Sequence, residues 1–516
     1  MKSTTTSTAT AWDKVHLPHY PKLSGSRHYD VVVVGGGITG LSAAYFLKRA
    51  GKNVCVLERG RLGFGDTGCT TAHLTCVTDV RLSKLIEDFG KQQAALVWQA
   101  GATAVDTIES IVERENIDCQ FRRVPGFLHE SLHAKESEAE ELKSEARQAT
   151  RLGFNAQFLN AVPYFNRPGI RVADQAKFHP LAYLGGLAAA IVGGGSTIFE
   201  HAEVTEVEPE PMAVKCGNHR IACDYLVIAT HVPLMGITGL LSATLFQTKL
   251  FPYSSYVVGA KVPKGLIPEA SFWDTSNPYF YLRVDAGKEA DYVIFGGEDH
   301  KTGQEVDTGK CFERLEKTLH EIIPAANVDR RWSGQVIETN DGLPYIGETA
   351  ERQFVATGYG GNGMTFGTLA GLMARDAALG RENPWRDLFA VNRKKVRGAA
   401  WHYVKENFDY PYYLVKDRLK PAEGDSTRSV KRGEGKVLKL AGQRVACSRD
   451  EDGKLHQVSA VCTHMGCLVR WNGAAQTWDC PCHGSRFRPE GEVMAGPAEA
   501  PLEPVKKKKR KAVSKR

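Results

Sequence analysis

The chain has 516 residues, 42% hydrophobic and 24% charged, an ordinary soluble composition with length for more than one domain. Its net charge of +7 sits at one end: the eight basic residues among the last eleven, from Lys506 to Arg516, leave a body near −1, which excludes a generally nucleic-acid-binding surface. No apolar run has the length of a membrane span or a secretory signal. The best, Leu181 to Val192, is interrupted by Gly185 and Gly186, and a cytoplasmic location is expected.

Residues 1–27 read as an N-terminal arm, Thr/Ser-rich and then carrying Trp12, Pro18, Tyr20 and Pro21, that lies on the body. The stretch Tyr29 to Glu58 follows. Val31 to Val34 predict a buried parallel strand, Gly35-Gly36-Gly37-Ile38-Thr39-Gly40 a turn, Leu41 to Ala50 a helix, and Asn53 to Leu57 a second strand ending at Glu58. In Gly-x-Gly-x-x-Gly, Gly35 allows the turn, Gly37 admits a pyrophosphate to the backbone and Gly40 lets helix pack on strand. The helix N-terminus holds the anion, and Glu58, 18 residues past Gly40, can accept hydrogen bonds from a ribose. This is a dinucleotide site.

The loop Arg61 to Thr75, with Arg59 just before it, is rich in glycine and threonine. Its hydroxyls, Thr70 and Thr71 among them, suit phosphate or flavin contacts, and Cys69 or His73 could anchor a flavin covalently, although an unlinked cofactor is expected. Residues 81–169 change character, with a helical pattern from Leu82 to Val112, a strand around Phe121 to His129 and a charged helix from Lys135 to Leu152. Strands return at Thr197 to Phe199, at Glu203 to Val207, which places Val204 beside the nucleotide, and at Tyr225 to Thr230. Between Phe246 and Trp332 aromatic and β-branched residues alternate, as in an antiparallel sheet carrying a pocket. Tyr256, Tyr281 and Arg283 are its candidate catalytic residues, the arginine as a bidentate carboxylate clamp. The last part of this body has the strand Gln353 to Thr357, a turn Gly360-Gly361-Asn362-Gly363 and a helix from Met364, which again directs amides at a developing charge.

The first glycine motif with Glu58, the strand Tyr225 to Thr230, and the late block from Asp341-Gly342-Leu343-Pro344 through Gly358-Tyr359-Gly360-Gly361-Asn362-Gly363-Met364 resemble the D-amino-acid-oxidase-like FAD oxidoreductases. The resemblance covers residues 28–392. It implies FAD, an α/β Rossmann-like FAD-binding domain (about 28–80, 170–235 and 330–392) and an interleaved α+β substrate domain (about 81–169 and 236–329). It also implies oxidation of a carbon next to an amine. Relatives that attach flavin through a late cysteine differ here: the chain reads Ile337-Glu338-Thr339-Asn340, so that route is not expected.

Residues 393–425 read as a helical connector ending in a hinge, 426–505 as a separate small all-β unit and 506–516 as a basic tail. The tail suits solvent, or peripheral contact with anionic lipid, nucleic acid or an acidic partner. Five of the 12 cysteines lie between Cys447 and Cys482. Cys462-Thr463-His464 and Cys480-Pro481-Cys482-His483 present two thiolates and two imidazoles, suited to an iron-sulfur cluster with sulfur on one iron and nitrogen on the other, or to a Cys2His2 zinc site. With Cys467, Cys482 and Gly496-Pro497-Ala498, this unit resembles the Rieske proteins of respiratory chains. The resemblance implies one [2Fe-2S] cluster held by Cys462, His464, Cys480 and His483, a Cys467–Cys482 disulfide, and a Ser485 hydrogen bond to a bridging sulfide. Phe487 stands where the respiratory pattern has tyrosine, which lowers the expected potential.

Three functions are open to such a chain. The first is an FAD-dependent amine or amino-acid dehydrogenase passing electrons through the cluster to an external one-electron acceptor, a protein or a quinone. The second reverses the flow, from a donor through the cluster to an oxygenase partner or a monooxygenase-like reaction. The third is a redox sensor or docking protein.

Overall fold

A strand covered on both faces needs apolar residues at every position, and in Arg27–Val34 none of Val31 to Val34 is more than 4% exposed. The computed structural model describes residues 9–233, 248–393 and 409–505, and this strand is central to its eight-stranded sheet. Val54–Leu57 pairs with it in parallel on one side and His219–Ile228 on the other. Thr197–Phe199 and Gln353–Thr357 extend the parallel set outward, and Tyr345–Ala350 closes one edge antiparallel. Because neighbours on opposite sides are reached by separate crossovers, a crevice opens at the carboxyl end of Arg27–Val34, where open α/β sheets bind ligands.

The helix Ile38–Arg49 packs against a second helix, Gly363–Ala378. Glycine permits this approach: a Cβ on Gly371 would lie 2.7 Å from Ser42 Cβ and from the Ala43 nitrogen, and one on Gly367 2.8 Å from Ile38 Cγ2.

The second sheet has nine strands. Asn327–Thr339 pairs antiparallel with Leu250–Pro263, which neighbours Ala290–Lys301; Tyr281–Asp285 pairs antiparallel with Ala290–Lys301 and with Ser271–Asp274, and Ser271–Asp274 pairs in parallel with Arg122–His129 before Gly169–Lys177 and His73–Leu74 follow. Two expected boundaries shift as a result. Gly169–Lys177 and Asn327–Thr339, read from sequence as the start of nucleotide-domain segments, hydrogen-bond within this second sheet. Apolar patterning marks a strand but not the sheet that takes it. The helical pattern of 82–112 is two helices, Leu82–Phe89 and Lys91–Arg114, separated at Gly90 with φ +84°.

The N-terminal arm is anchored. Trp12 is 4% exposed, its indole nitrogen donates to the Thr70 carbonyl at 2.7 Å, and its ring meets His179 edge-on at 5.0 Å.

The chain divides into two compact units, residues 1–300 with 310–404, and 301–309 with 405–516. The second contains a three-stranded antiparallel sheet, Gly435–Leu440, Gln443–Arg449 and Leu455–Ser459, and a four-stranded one, Arg470–Asn472, Thr477–Asp479, Arg486–Phe487 and Val493–Ala495. The helix Asp409–Leu419 is fastened to it through Asp417, whose two oxygens accept from Arg470 Nη2 at 2.6 and 2.9 Å. Residues 394–408 of the expected connector and the basic tail lie outside the described residues. Among the described residues no helix is long and apolar enough to cross a membrane.

Gly371→Ala forces Ser42 and Ala43 outward and is expected to cost about 1–3 kcal/mol. Calorimetry should show an earlier transition for the first unit; an unchanged one would mean that the helices can separate freely.

Candidate functional site

The first glycine turn follows from its neighbours. Gly35 has φ +112°, and a Cβ there would lie 2.7 Å from the Ala229 carbonyl oxygen, so only glycine turns the chain here. Gly40 faces the Gly35 carbonyl so closely that a side chain would overlap it. Gly37 caps the helix without a side chain, and the first helical turn has no acidic residue. The positive dipole end therefore carries no opposing side-chain charge, which suits a pyrophosphate.

Thr67 hydroxyl oxygen accepts from the Ile38 amide at 3.3 Å and stands 2.9 Å from where a Gly37 Cβ would be. It lies closer to this turn than the expected Thr70 and Thr71. Thr70 instead accepts from the Ala72 amide through its hydroxyl, and the Thr71 carbonyl accepts from Arg283. The loop composition singled out the segment, but not which threonine meets the helix.

Glu58 ends its strand as expected, with Oε2 accepting from Gly36 N at 2.7 Å and Oε1 from Gly60 N at 2.6 Å. Burial pushes its carboxyl above the usual range, and the two amides oppose the shift. Each oxygen retains a lone pair for a ribose hydroxyl. Arg59 is exposed and paired with Glu203 at 3.9 Å, and Val204 is 6% exposed at the start of Val204–Pro209.

The two glycine turns meet. Thr39 Oγ1 and the Tyr359 hydroxyl are 3.0 Å apart, Gly360–Asn362 forms a 3-10 turn, and Asn362 Nδ2 donates to the Val77 carbonyl at 2.9 Å. Gly363 opens the second helix, followed by Met364, 3% exposed. The Gly361 amide donates to Asp79 Oδ2 at 2.6 Å, and Tyr279 donates to Asp79 Oδ1 at 2.8 Å. Asp79 keeps accessible surface, yet the protein around it removes enough hydration to push its carboxyl above the usual range.

The three candidate catalytic residues separate. Tyr281 sits beside this group: its hydroxyl is 2.8 Å from Ser255 Oγ and its ring lies 5.9 Å from Tyr279. Tyr256 points to the opposite face, fully buried, stacked on His300 at 5.5 Å and edge-on to Phe312 at 5.1 Å, because neighbours in a strand alternate. Arg283 is 3% exposed; its Nη1 donates to the Thr71, Ala72 and Phe178 carbonyls at 2.9–3.0 Å and its Nε to Asp285. It secures the Thr70–Ala72 loop, with Trp12 over it at 5.2 Å, and is not placed as a carboxylate clamp. Asp79, Tyr279 and Ser255, which the structure groups with Tyr281, were not singled out from the sequence. Tyr279 shares the alternation of Tyr281, but Asp79 comes from a distant segment and carries no local signal.

In the second unit two loops repeat one geometry. Cys462 N donates to the Cys467 carbonyl and Gly466 N to that of Cys462, at 2.8 and 3.0 Å; Cys480 N donates to Ser485 O and Gly484 N to Cys480 O, at 2.8 and 2.9 Å. Gly466 and Gly484, each four residues past its cysteine, have φ +78° and +70°. Cys467 and Cys482 form the expected disulfide, with Cα atoms 6.5 Å apart, tying loop to loop.

The donor set fits a cluster. A hydrogen bond from Cys480 lowers the Cys462 thiol to about 7, while the same bond and burial raise Cys480. Burial lowers His464 to about 4 and His483 to about 3, so both imidazoles are neutral near pH 7, the form that binds metal. Their rings are 5.0 Å apart, and His464 Nε2 and His483 Nδ1 are buried with no hydrogen-bond partner. Ser485, fully buried, hydrogen-bonds Cys462, and its Oγ accepts from Ala498 N at 3.0 Å. Phe487, also fully buried, packs in the same apolar cluster as Cys462, Cys467 and Cys480. Tyr410 lies against His483 with ring centres 5.1 Å apart.

Residues 30–377 match the FAD dependent oxidoreductase family and residues 423–506 the Rieske [2Fe-2S] domain. The Rieske 2Fe-2S iron-sulfur protein YhfW of Bacillus subtilis is 32% identical over 496 residues, covering 95% of this chain and 96% of the relative. Gamma-glutamylputrescine oxidoreductase of Escherichia coli is 25% identical over 418 residues, covering 78% of this chain and 95% of that protein. In fold, glycine oxidase from Geobacillus kaustophilus aligns with a TM-score of 0.59 and 21% identity, covering 71% of this chain and 99% of the other. The cofactors are FAD and a [2Fe-2S] cluster, and both residue sets described above suit them. The chain belongs to the FAD-dependent oxidoreductase family, with a Rieske [2Fe-2S] domain following in the same chain.

Proposed function

We propose that this chain is an amine or amino-acid dehydrogenase acting on a CH–NH or CH–NH2 donor, and that its electrons leave through the Rieske domain to an external one-electron acceptor, a protein or a quinone. When bound, FAD accepts a hydride and a [2Fe-2S] cluster accepts one electron at a time. The observation that carries the reading is the pairing, in one chain, of a glycine cradle suited to a pyrophosphate with two Cys/His loops of matched geometry tied by a disulfide. The relative from Escherichia coli, a gamma-glutamylputrescine oxidoreductase, supports an amine substrate. The reading includes a cytoplasmic location, in keeping with buried cysteines outside any disulfide at Cys55, Cys76, Cys119, Cys216, Cys223 and Cys447.

The protein's own residues have distinct tasks here. Gly35, Gly37 and Gly40 bring backbone amides to the pyrophosphate, Glu58 takes the ribose, and Gly360 to Met364 close over the other end of the dinucleotide. Cys462 and Cys480 supply the sulfur ligands, His464 and His483 the nitrogen ligands, and Ser485 donates toward the sulfur side.

Anaerobic addition of a panel of secondary amines, amino acids and polyamines to the holoenzyme should bleach the flavin absorbance and then produce a Rieske-type EPR signal. Bleaching without the signal would remove the cluster from the electron path, and cluster reduction only by a partner reductase would reverse the direction of flow. Phe487→Tyr should restore a hydrogen bond to a ligand sulfur. Redox titration should then place the cluster potential higher by roughly 60 mV, the one-electron equivalent of about 1.4 kcal/mol, with the flavin potential unchanged.

A further inference from the structure

An amine oxidised at the carbon next to nitrogen must arrive with, or acquire, a free lone pair, yet alkylamines are ammonium ions at neutral pH. Something has to take that proton.

Beside the second glycine turn a pair of hydroxyls stands next to a buried acid. The Tyr281 hydroxyl and Ser255 Oγ are 2.8 Å apart, and Ser255 acts on the Asp299 carboxyl, opposing the upward push of burial. Asp299 Oδ1 is buried with no hydrogen-bond partner, so the carboxylate has unused capacity to hold a proton. The group is adjacent to the cofactor turn: Tyr279, whose ring neighbours Tyr281, shares Asp79 with the Gly361 amide, and a Cβ on Gly361 would lie 2.8 Å from both Asp79 Oδ1 and the Tyr279 hydroxyl.

We propose that Asp299 receives the proton of a cationic amine substrate through Tyr281 and Ser255, and that this acid-lined wall selects primary or secondary ammonium compounds. The inference rests on the reading of the chain as an amine dehydrogenase. In the step, the N–H bond of the ammonium breaks and an O–H bond forms on Tyr281 as its own proton passes to Ser255. The Ser255 proton passes to Asp299, and no electron is transferred. The neutral amine keeps the lone pair, the Tyr281 and Ser255 hydroxyls are regenerated, and the charge lost from nitrogen is balanced by neutralisation of the carboxylate.

The charges around Asp299 suit the role. Burial, together with the neighbouring charges of Asp79 and Glu298, holds its carboxyl near pH 7 against the opposing Ser255 hydrogen bond. Glu298 is paired with Arg314 at 2.6 Å. Burial keeps Tyr279 and Tyr281 protonated, and the His73 ring, edge-on to Tyr281 at 6.0 Å, is held neutral by burial with its pKa near 3. His300, the next residue, stacks on Tyr256. A base works in its deprotonated form, so a carboxyl raised to about 7 makes the reaction faster as pH rises through that value.

The test is anaerobic stopped-flow reduction of the holoenzyme by an amine across the neutral pH range, for wild type, Asp299→Asn, Ser255→Ala and Ser255→Thr. Infrared detection of the buried carboxyl is the second readout. Wild type should show a rising limb near pH 7 and a protonated-carboxyl band that titrates with it. Asp299→Asn should lose both and be slower by roughly 10²- to 10⁴-fold. Ser255→Ala should lose the limb while keeping the carboxyl, and Ser255→Thr should recover it. Normal flavin absorbance in each variant reports intact folding. Wild-type bleaching with an unchanged limb in Asp299→Asn and Ser255→Ala would overturn the relay and leave the dehydrogenase reading in place. Absence of bleaching of wild type by any amine would overturn both.

Discussion

The close approach of a helix to the end of a strand governs the first unit. Gly40 rests against the Gly35 carbonyl with no room for a side chain, so the helix Ile38–Arg49 begins where Arg27–Val34 ends. The second helix, Gly363–Ala378, is drawn in through Gly371, and its leading turn is linked to the first by Thr39 and Tyr359. A single site thereby receives two helix N-termini. Each contributes amides and a positive dipole end, the combination that a dinucleotide with a negatively charged pyrophosphate and an electron-accepting ring requires. The nine-stranded sheet then brings Tyr279, Tyr281 and Ser255 beside the second turn, and Arg283 and Trp12 hold the intervening loop from behind.

Burial plays the corresponding part in the second unit. Two loops of matched geometry place Cys462, Cys467 and Cys480 in an apolar cluster, and the half-buried imidazoles of His464 and His483 on the same loops lose enough hydration to be lowered into the neutral form. The disulfide joins the same two loops. The residues that would hold the cluster and the disulfide thus share one local packing arrangement, within a unit of small sheets.

What could be read from sequence was what depends on neighbours along the chain. Gly35, Gly37 and Gly40 with Glu58, and the Cys-x-His and Cys-x-x-His spacings, encode their chemistry within a few residues of each other. Arg283 and Tyr256 show the limit. Alternation assigns a residue to a face of a strand, but whether that face meets a ligand, a loop carbonyl or a helix such as Thr308–Ile322 depends on tertiary packing. Thr67 was indistinguishable by composition from Thr70 and Thr71, and only the path of the loop decides between them. Asp79 and Asp299 are 220 positions apart and come together with Tyr279 and Tyr281 through the sheet, an arrangement no local pattern announces.

The claim that both cofactor sites lie on one electron path is tested most directly by removing one of them. In Cys462→Ser, which lacks a sulfur ligand, the amine should still bleach the flavin anaerobically at the wild-type rate. Reduction of an external one-electron acceptor such as a quinone or a cytochrome should be lost, and both activities should remain in wild type. Undiminished delivery of electrons to that acceptor by the variant would contradict the account.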